Sequence, residues 1–276
     1  MDFIYLNSNK SGIGDRIHDL ILIFTYSQYM KCDKLYLNWT EDKNNMVGSN
    51  SIYSKIRSEK TSFREKDYLL ENLQNFIEFP NEINFISSDE LNNKSTSKNV
   101  IVFKDYLGLG YGIKIFIKKF LNFETIEIKN KFEENYFKNF QKIKLKNINS
   151  ELTNYFKQNS VVTIHLRRGD KVVNDGGITN NIQEFELNNL DSITESFIDY
   201  IINSGYSNIC FVSDEYLVKN KYINKYDKKC NIIKINSDPI TRTYIDLYCL
   251  SNSKIIFMSQ KFSVFSLLGK LIGNNK

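Results

Sequence analysis

One short stretch gathers side chains that could do chemistry: His165-Leu166-Arg167-Arg168-Gly169-Asp170-Lys171. Two adjacent arginines present rigid bidentate forks suited to a diphosphate. The apolar run before them, Val161-Val162-Thr163-Ile164, reads as a buried strand. The basic pair therefore follows the carboxyl end of a strand, the edge where open α/β sheets hold ligands. This placement points to an enzyme or a binder of a phosphorylated ligand. Without further support the pair reads equally well as a solvated edge, or as a salt-bridge cluster with Asp170.

Three other strand ends carry small polar or acidic groups: Ser213-Asp214-Glu215 after strand 208–212, Ser237-Asp238 after 231–235, and Ser259 after 254–258. Each alone is an ordinary helix cap. Together they converge on one sheet edge. There a carboxylate suits base N–H groups or ribose hydroxyls, and serine with helix N-terminal N–H groups suits phosphate. Gly12-Ile13-Gly14 lacks both the third glycine of a dinucleotide fingerprint and the Gly-Lys-Ser/Thr ending of a P-loop. Its simplest reading is a tight strand-to-helix turn. No Asp-x-Asp pair occurs in the chain, so Arg167 and Arg168 would have to neutralise a diphosphate without a metal ion.

The elements that must position these groups alternate between strand and helix. Residues 3–6 read as a strand, Ser11 to Arg16 as a glycine turn, Ile17, Leu20, Ile21, Phe24 and Gln28 as one helix face, and 34–39 as a second strand. Residues 41–99 are polar and weakly periodic. Val100 to Phe103 reads as a strand, and 114–158 as helices. From 161 the alternation is regular. A helix is expected to begin near Ser192, with Glu195 completing a capping box, and to end at Gly205. A further helix carries Ile245, Tyr248 and Cys249, and the last spans about 262–272. Alternating strands and helices imply parallel sheets. The expected fold class is α/β, with an N-terminal domain over 1–155 and a C-terminal Rossmann-like domain over 156–276.

Composition narrows the function classes. With 41% apolar and 14% aromatic residues, 276 residues can build one large core or two modest ones. Only 12 Gly and 2 Pro argue against turn-rich β-sandwiches and disordered linkers. A net charge of +5 suits an anionic small ligand and falls short of a nucleic-acid footprint. The four cysteines, at 32, 210, 230 and 249, have no Cys-x-x-Cys spacing, and two histidines make a zinc site improbable. Free thiols, no signal sequence and no apolar run near the roughly 20 residues of a membrane span lead to a soluble, cytoplasmic protein as the expectation.

The residues also resemble a known family. The segment Val162 to Lys171 is similar to the His-x-Arg-Arg motif of the α1,2-, α1,6- and protein O-fucosyltransferase superfamily. Phe211-Val212-Ser213-Asp214-Glu215 resembles its second motif, a strand ending in Ser/Thr-Asp-Asp/Glu. Asp246 to Ser251, followed by Ile255-Ile256 and Ser259-Gln260-Lys261-Phe262-Ser263, resembles the third. Gly12-Ile13-Gly14-Asp15-Arg16 looks like the Gly-x-Gly loop of the α1,6 and nodulation-type members. The resemblance implies an inverting, metal-independent GT-B transferase that uses GDP-fucose or another GDP-sugar, such as a GDP-deoxyheptose. It implies a nucleotide-sugar domain at the C-terminus, an acceptor-side domain at the N-terminus and an oligosaccharide or glycan acceptor. A lipid-linked acceptor would bring peripheral membrane association, and nucleic acid is not an expected partner. By position, Arg167 would bind the β-phosphate and Arg168 would support the diphosphate. His165 and Asp214 would hold guanosine, and Asp246 would contact guanine or orient the site. Ser259 or Ser263 would meet phosphate beside Phe262, and Gly12, Ile13 and Gly14 would line the donor. Lys171 matches a family lysine, and Asp175 stands where the family base is a glutamate one methylene longer. The alternative reading is a non-catalytic nucleotide-binding α/β protein.

Overall fold

The computed structural model describes residues 1–6, 13–39, 69–95, 100–103, 125–166, 180–213, 216–235, 239–259 and 263–273. Among them, residues up to Lys146 form one compact unit, and those from Asn147 onward form a second.

The first unit runs β1 (Asp2–Leu6), α1 (Ile13–Tyr29), β2 (Lys34–Asn38), α2 (Leu70–Phe76), β3 (Ile77–Glu78), β4 (Ile83–Phe85), α3 (Ser88–Ser95), β5 (Val100–Phe103), α4 (Ile126–Phe140) and β6 (Lys144–Leu145). Its main sheet has the order β4-β2-β1-β5, with every neighbouring pair parallel. Phe3, Ile4 and Tyr5 are fully buried because β1 lies inside the sheet. On the expected face of α1, Ile17, Leu20, Ile21 and Phe24 are buried and Gln28 is half-buried, with Arg16, His18 and Asp19 buried around them. The expectation of helices across 114–158 is corrected at β6, which pairs antiparallel with β3, Ile77 opposite Leu145.

The second unit runs α5 (Ser150–Gln158), β7 (Val161–Leu166), α6 (Asn180–Asn203), β8 (Asn208–Ser213), α7 (Tyr216–Tyr226), β9 (Asn231–Ile232), α8 (Pro239–Asn252), β10 (Ile255–Met258) and α9 (Val264–Gly273). All pairs in its sheet, ordered β10-β7-β8-β9, are parallel. The two sheets are wound alike: the first strand of each lies inside, with the second strand on one side and the last on the other. Each therefore has a switch point beside its first strand, where the carboxyl ends of diverging connections leave a crevice.

Side-chain alternation divides the faces of the second sheet. Val162, Ile164, Leu166, Ile209 and Phe211 pack with Ile198, Ile201, Tyr222 and Tyr226 of α6 and α7. Thr163 and His165 point the other way, toward Ser253 and Ser266. α6 begins at Asn180, so the capping box expected at Ser192 is wrong. Glu195 lies inside the helix and pairs with Lys225 of α7 at 2.5 Å. It is the middle one of three such pairs: Lys221–Asp191 at 2.8 Å joins the same two helices, and Lys229, in the turn after α7, reaches Asp199 at 3.5 Å. The end of α6 is as expected: Gly205 has φ +88°, and the N–H groups of Gly205 and Tyr206 return to the carbonyls of Ile202 and Ile201. That is a Schellman closure, in which glycine avoids the left-handed penalty. β9 is shorter than the expected 231–235; the Ile233 N–H still reaches the Ile209 carbonyl at 2.9 Å. α8 and α9 pack closely. A Cβ on Gly269 would come 2.5 Å from that of Leu250, and one on Gly273 would run into the Ser251 carbonyl.

Candidate functional site

The second unit's switch point falls between β7 and β10, whose register places Met258 opposite His165. Six buried residues in β7 deliver His165 to this edge at 4% exposure. The backbone N–H of Ser259 donates to the His165 carbonyl at 3.0 Å, so the two strand ends are tied together. His165 Nδ1 lies 2.5 Å from Ser266 Oγ and 3.3 Å from Ser263 Oγ. The Ser263 hydroxyl oxygen also accepts from the Ser266 N–H at 3.3 Å, which caps α9 in the usual N-cap to N3 manner. The Phe265 ring stands 6.0 Å from the imidazole. Ser259, Ser263 and Ser266 are all buried. One histidine, two hydroxyls and the positive end of a ten-residue helix thus meet at one point. Such a point suits an anionic or hydroxyl-rich ligand.

The next strand end is fastened to it. Ser213 Oγ donates to the Leu166 carbonyl at 2.7 Å, which holds together the two strand ends leading into Arg167 and Asp214. Asp246 lies one turn before Cys249 on α8 and is 5% exposed. The Cys249 thiol is pushed well above the usual thiol range by burial, by its hydrogen bond with Cys210 and by the Asp246 charge; the Lys219 ammonium pulls the other way.

His165, Ser259 and Ser263, chosen from sequence, are thus brought together, with Asp246 buried in the same unit. Ile13 and Gly14 are the first residues of α1 in the other unit, both buried. Gly12, Arg167, Arg168, Lys171, Asp175, Asp214 and Phe262 lie outside the described residues. Two buried groups escaped the sequence reading. Ser266 is 1% exposed and reads as an ordinary helix residue, although its three-residue spacing from Ser263 is a capping signal. Lys219 is 7% exposed and sits on the sheet-facing stripe of α7 with Tyr222 and Tyr226, a spacing of three and four that marks it as inward. In the first unit, Arg16 is fully buried with its guanidinium 3.6 Å from the centre of the Trp39 ring.

No family model matches the chain, and no curated protein sequence matches it. Solved structures do. NodZ α-1,6-fucosyltransferase soaked with GDP-fucose, and fucosyltransferase NodZ from Bradyrhizobium, each match with TM-score 0.51 and 13% identity, over 99% of this chain and 93% of theirs. The likeness is one of fold: two α/β units with mainly parallel sheets, as in GT-B fucosyltransferases. Among the described residues no helix is long and apolar enough to cross a membrane.

Proposed function

We propose that this protein is a glycosyltransferase that moves fucose from GDP-fucose to a hydroxyl of a glycan acceptor, inverting the anomeric centre and using no metal. The observation that carries the reading is the junction of His165, Ser263 and Ser266 at the switch point, with His165 two residues before the Arg167–Arg168 pair. The fold it shares with fucosyltransferases supports the same reading.

In this mechanism His165 and Asp214 hold the guanosine, and Asp246 contacts guanine or orients the site. Arg167, Arg168 and the N-terminus of α9 take up charge as the diphosphate departs. A fixed donor of this kind is worth ~3–4 kcal/mol in a dry site. Lys171 adds a further positive charge. The acceptor hydroxyl attacks from the face opposite GDP, and Asp175 receives its proton.

Calorimetry with GDP, UDP and ADP, followed by release of GDP from GDP-fucose and other GDP-sugars, tests the reading. Tight GDP binding with turnover of GDP-fucose is expected. Preference for a different GDP-sugar would change the donor, and GDP binding without any turnover would make the protein a non-catalytic binder.

A further inference from the structure

The two hydroxyls at His165 leave its ring one proton arrangement. Ser266 is 1% exposed and Ser263 is 5% exposed, so neither hydroxyl has bulk water to take its proton. Ser266 Oγ lies 2.5 Å from His165 Nδ1, and Ser263 Oγ lies 3.3 Å from it. Among the described residues Nδ1 is the one acceptor within reach of either proton. A serine deep in a helix usually returns its proton to a backbone carbonyl of the preceding turn. Ser266 stands only three residues after the cap, and there the Ser263 carbonyl is taken by the Leu267 N–H at 3.0 Å.

A nitrogen that accepts carries no hydrogen. Were Nδ1 protonated, it could donate to Ser266 Oγ, but both serine protons would then be buried without an acceptor, and orphaning two donors outweighs the one bond gained. Nδ1 is therefore bare, with Ser266 as its near donor and Ser263 as its far one. The ring is neutral and holds its single proton on Nε2. That settles what the ring offers a ligand: a donor for an oxygen, and no acceptor for an N–H. The two arginines that follow are the match for a charged diphosphate, which leaves the neutral donor to an uncharged oxygen.

We propose that Ser266 is a positioning residue: with Ser263 it keeps Nδ1 of His165 unprotonated, so that the ring meets the nucleotide as a neutral Nε2–H donor to an oxygen of the guanosine. The inference rests on the GDP reading above and adds the tautomer of its histidine and the residue that sets it.

The chain has two histidines, so nitrogen NMR of the imidazoles at neutral pH shows two rings, and His18→Gln assigns them. For His165 a bare Nδ1 and a protonated Nε2 are expected in the wild type. A protonated Nδ1, in the other tautomer or in imidazolium, would overturn the assignment, and this measurement stands even if a variant fails to fold. In Ser266→Ala the Nδ1 shift should move toward that of a nitrogen without a hydrogen bond; an unmoved shift would remove Ser266 from the role. The donor is tested by two amides, since Gln places its nitrogen near the position of Nε2 and Asn near that of Nδ1. His165→Asn should weaken GDP and guanosine alike by about 2- to 10-fold, the range for one neutral hydrogen bond, and His165→Gln should lie closer to wild type. The reverse order of the two amides would overturn the donor role. A loss confined to GDP would put the donor on the diphosphate and overturn its placement on guanosine. If the wild type fails to bind GDP, the nucleotide reading has failed and the donor role with it; tight GDP binding by a ring protonated at Nδ1 would defeat this inference alone.

Discussion

His18 makes a stability prediction whose size follows from its surroundings. It lies in the second turn of α1, 7% exposed, with its ring centre 4.8 Å from that of Phe140. Its Nδ1 shares a hydrogen bond with Tyr136 Oη at 2.9 Å, and its Nε2 is buried with no hydrogen-bond partner among the described residues. An imidazolium there would carry an unmet donor out of water, so burial pushes the pKa down from 6.5 to about 4. A histidine whose folded pKa is depressed contributes stability that is complete above its unfolded pKa. That contribution is lost as pH falls through the interval toward the folded pKa, because only the unfolded chain binds the proton there. The limiting slope is about 1.4 kcal/mol per pH unit, and over the whole interval the loss is about 3 kcal/mol. Urea unfolding of wild type and His18→Gln from pH 7.5 to 4 isolates this contribution, because the carboxylates common to both cancel in the difference. The wild type should lose stability more steeply than the variant below pH 6.5, and the two should run parallel above it. Parallel curves throughout would refute the argument, and so would an NMR titration placing His18 near 6.5.

Gly269→Ala should destabilise by about 1–3 kcal/mol, since its methyl meets Leu250 Cβ at 2.5 Å and one helix must shift; chemical denaturation measures it. Ser266→Ala removes a hydroxyl from His165 Nδ1 and should weaken GDP binding while lowering the melting temperature only slightly; calorimetry beside a thermal melt separates the two effects. Arg167→Ala should abolish transfer in a folded protein, and retained turnover would remove it from the phosphate role. Asp175→Asn should cut turnover with donor binding intact; unchanged turnover would mean that another group takes the proton.

The second sheet was readable because its central strands β7 and β8, buried almost throughout, spell continuous apolar runs. The polar residue that ends each run then marks the ligand edge, which is how His165 and Ser259 were found, whereas Ser263 was reached through resemblance. Asp246 was reached only through resemblance, since one acid in an apolar helix carries no one-dimensional sign of what it faces. The start of α6 was misread because Ser192 and Glu195 have the spacing of a cap, while the structure uses Glu195 for an ion pair with another helix. Lys219 is hidden by composition. It belongs to a helix with lysines at 219, 221 and 225, and only the fold separates the one that turns inward. Arg16 depends on Trp39, which lies beyond a strand, so local pattern could not pair them.

The ion pairs that α6 makes with α7 and the turn after it have an unexpected property: they cannot measure position along the helices. Acids at 191, 195 and 199 face lysines at 221, 225 and 229, four apart on both sides. If α7 slid by one turn, Lys221 would meet Glu195 and Lys225 would meet Asp199, and the Tyr222 hydroxyl, now 2.6 Å from Asp191, would again find a carboxylate. The exterior is therefore a repeating code that reads nearly the same at two settings. What distinguishes them is the buried face, where Tyr222 and Tyr226 pack with Ile209 and Phe211; a slide of one turn, about 5.4 Å, would pull both rings out of their seats. The surface pairs therefore add attraction without register, and the core alone fixes where α7 stops.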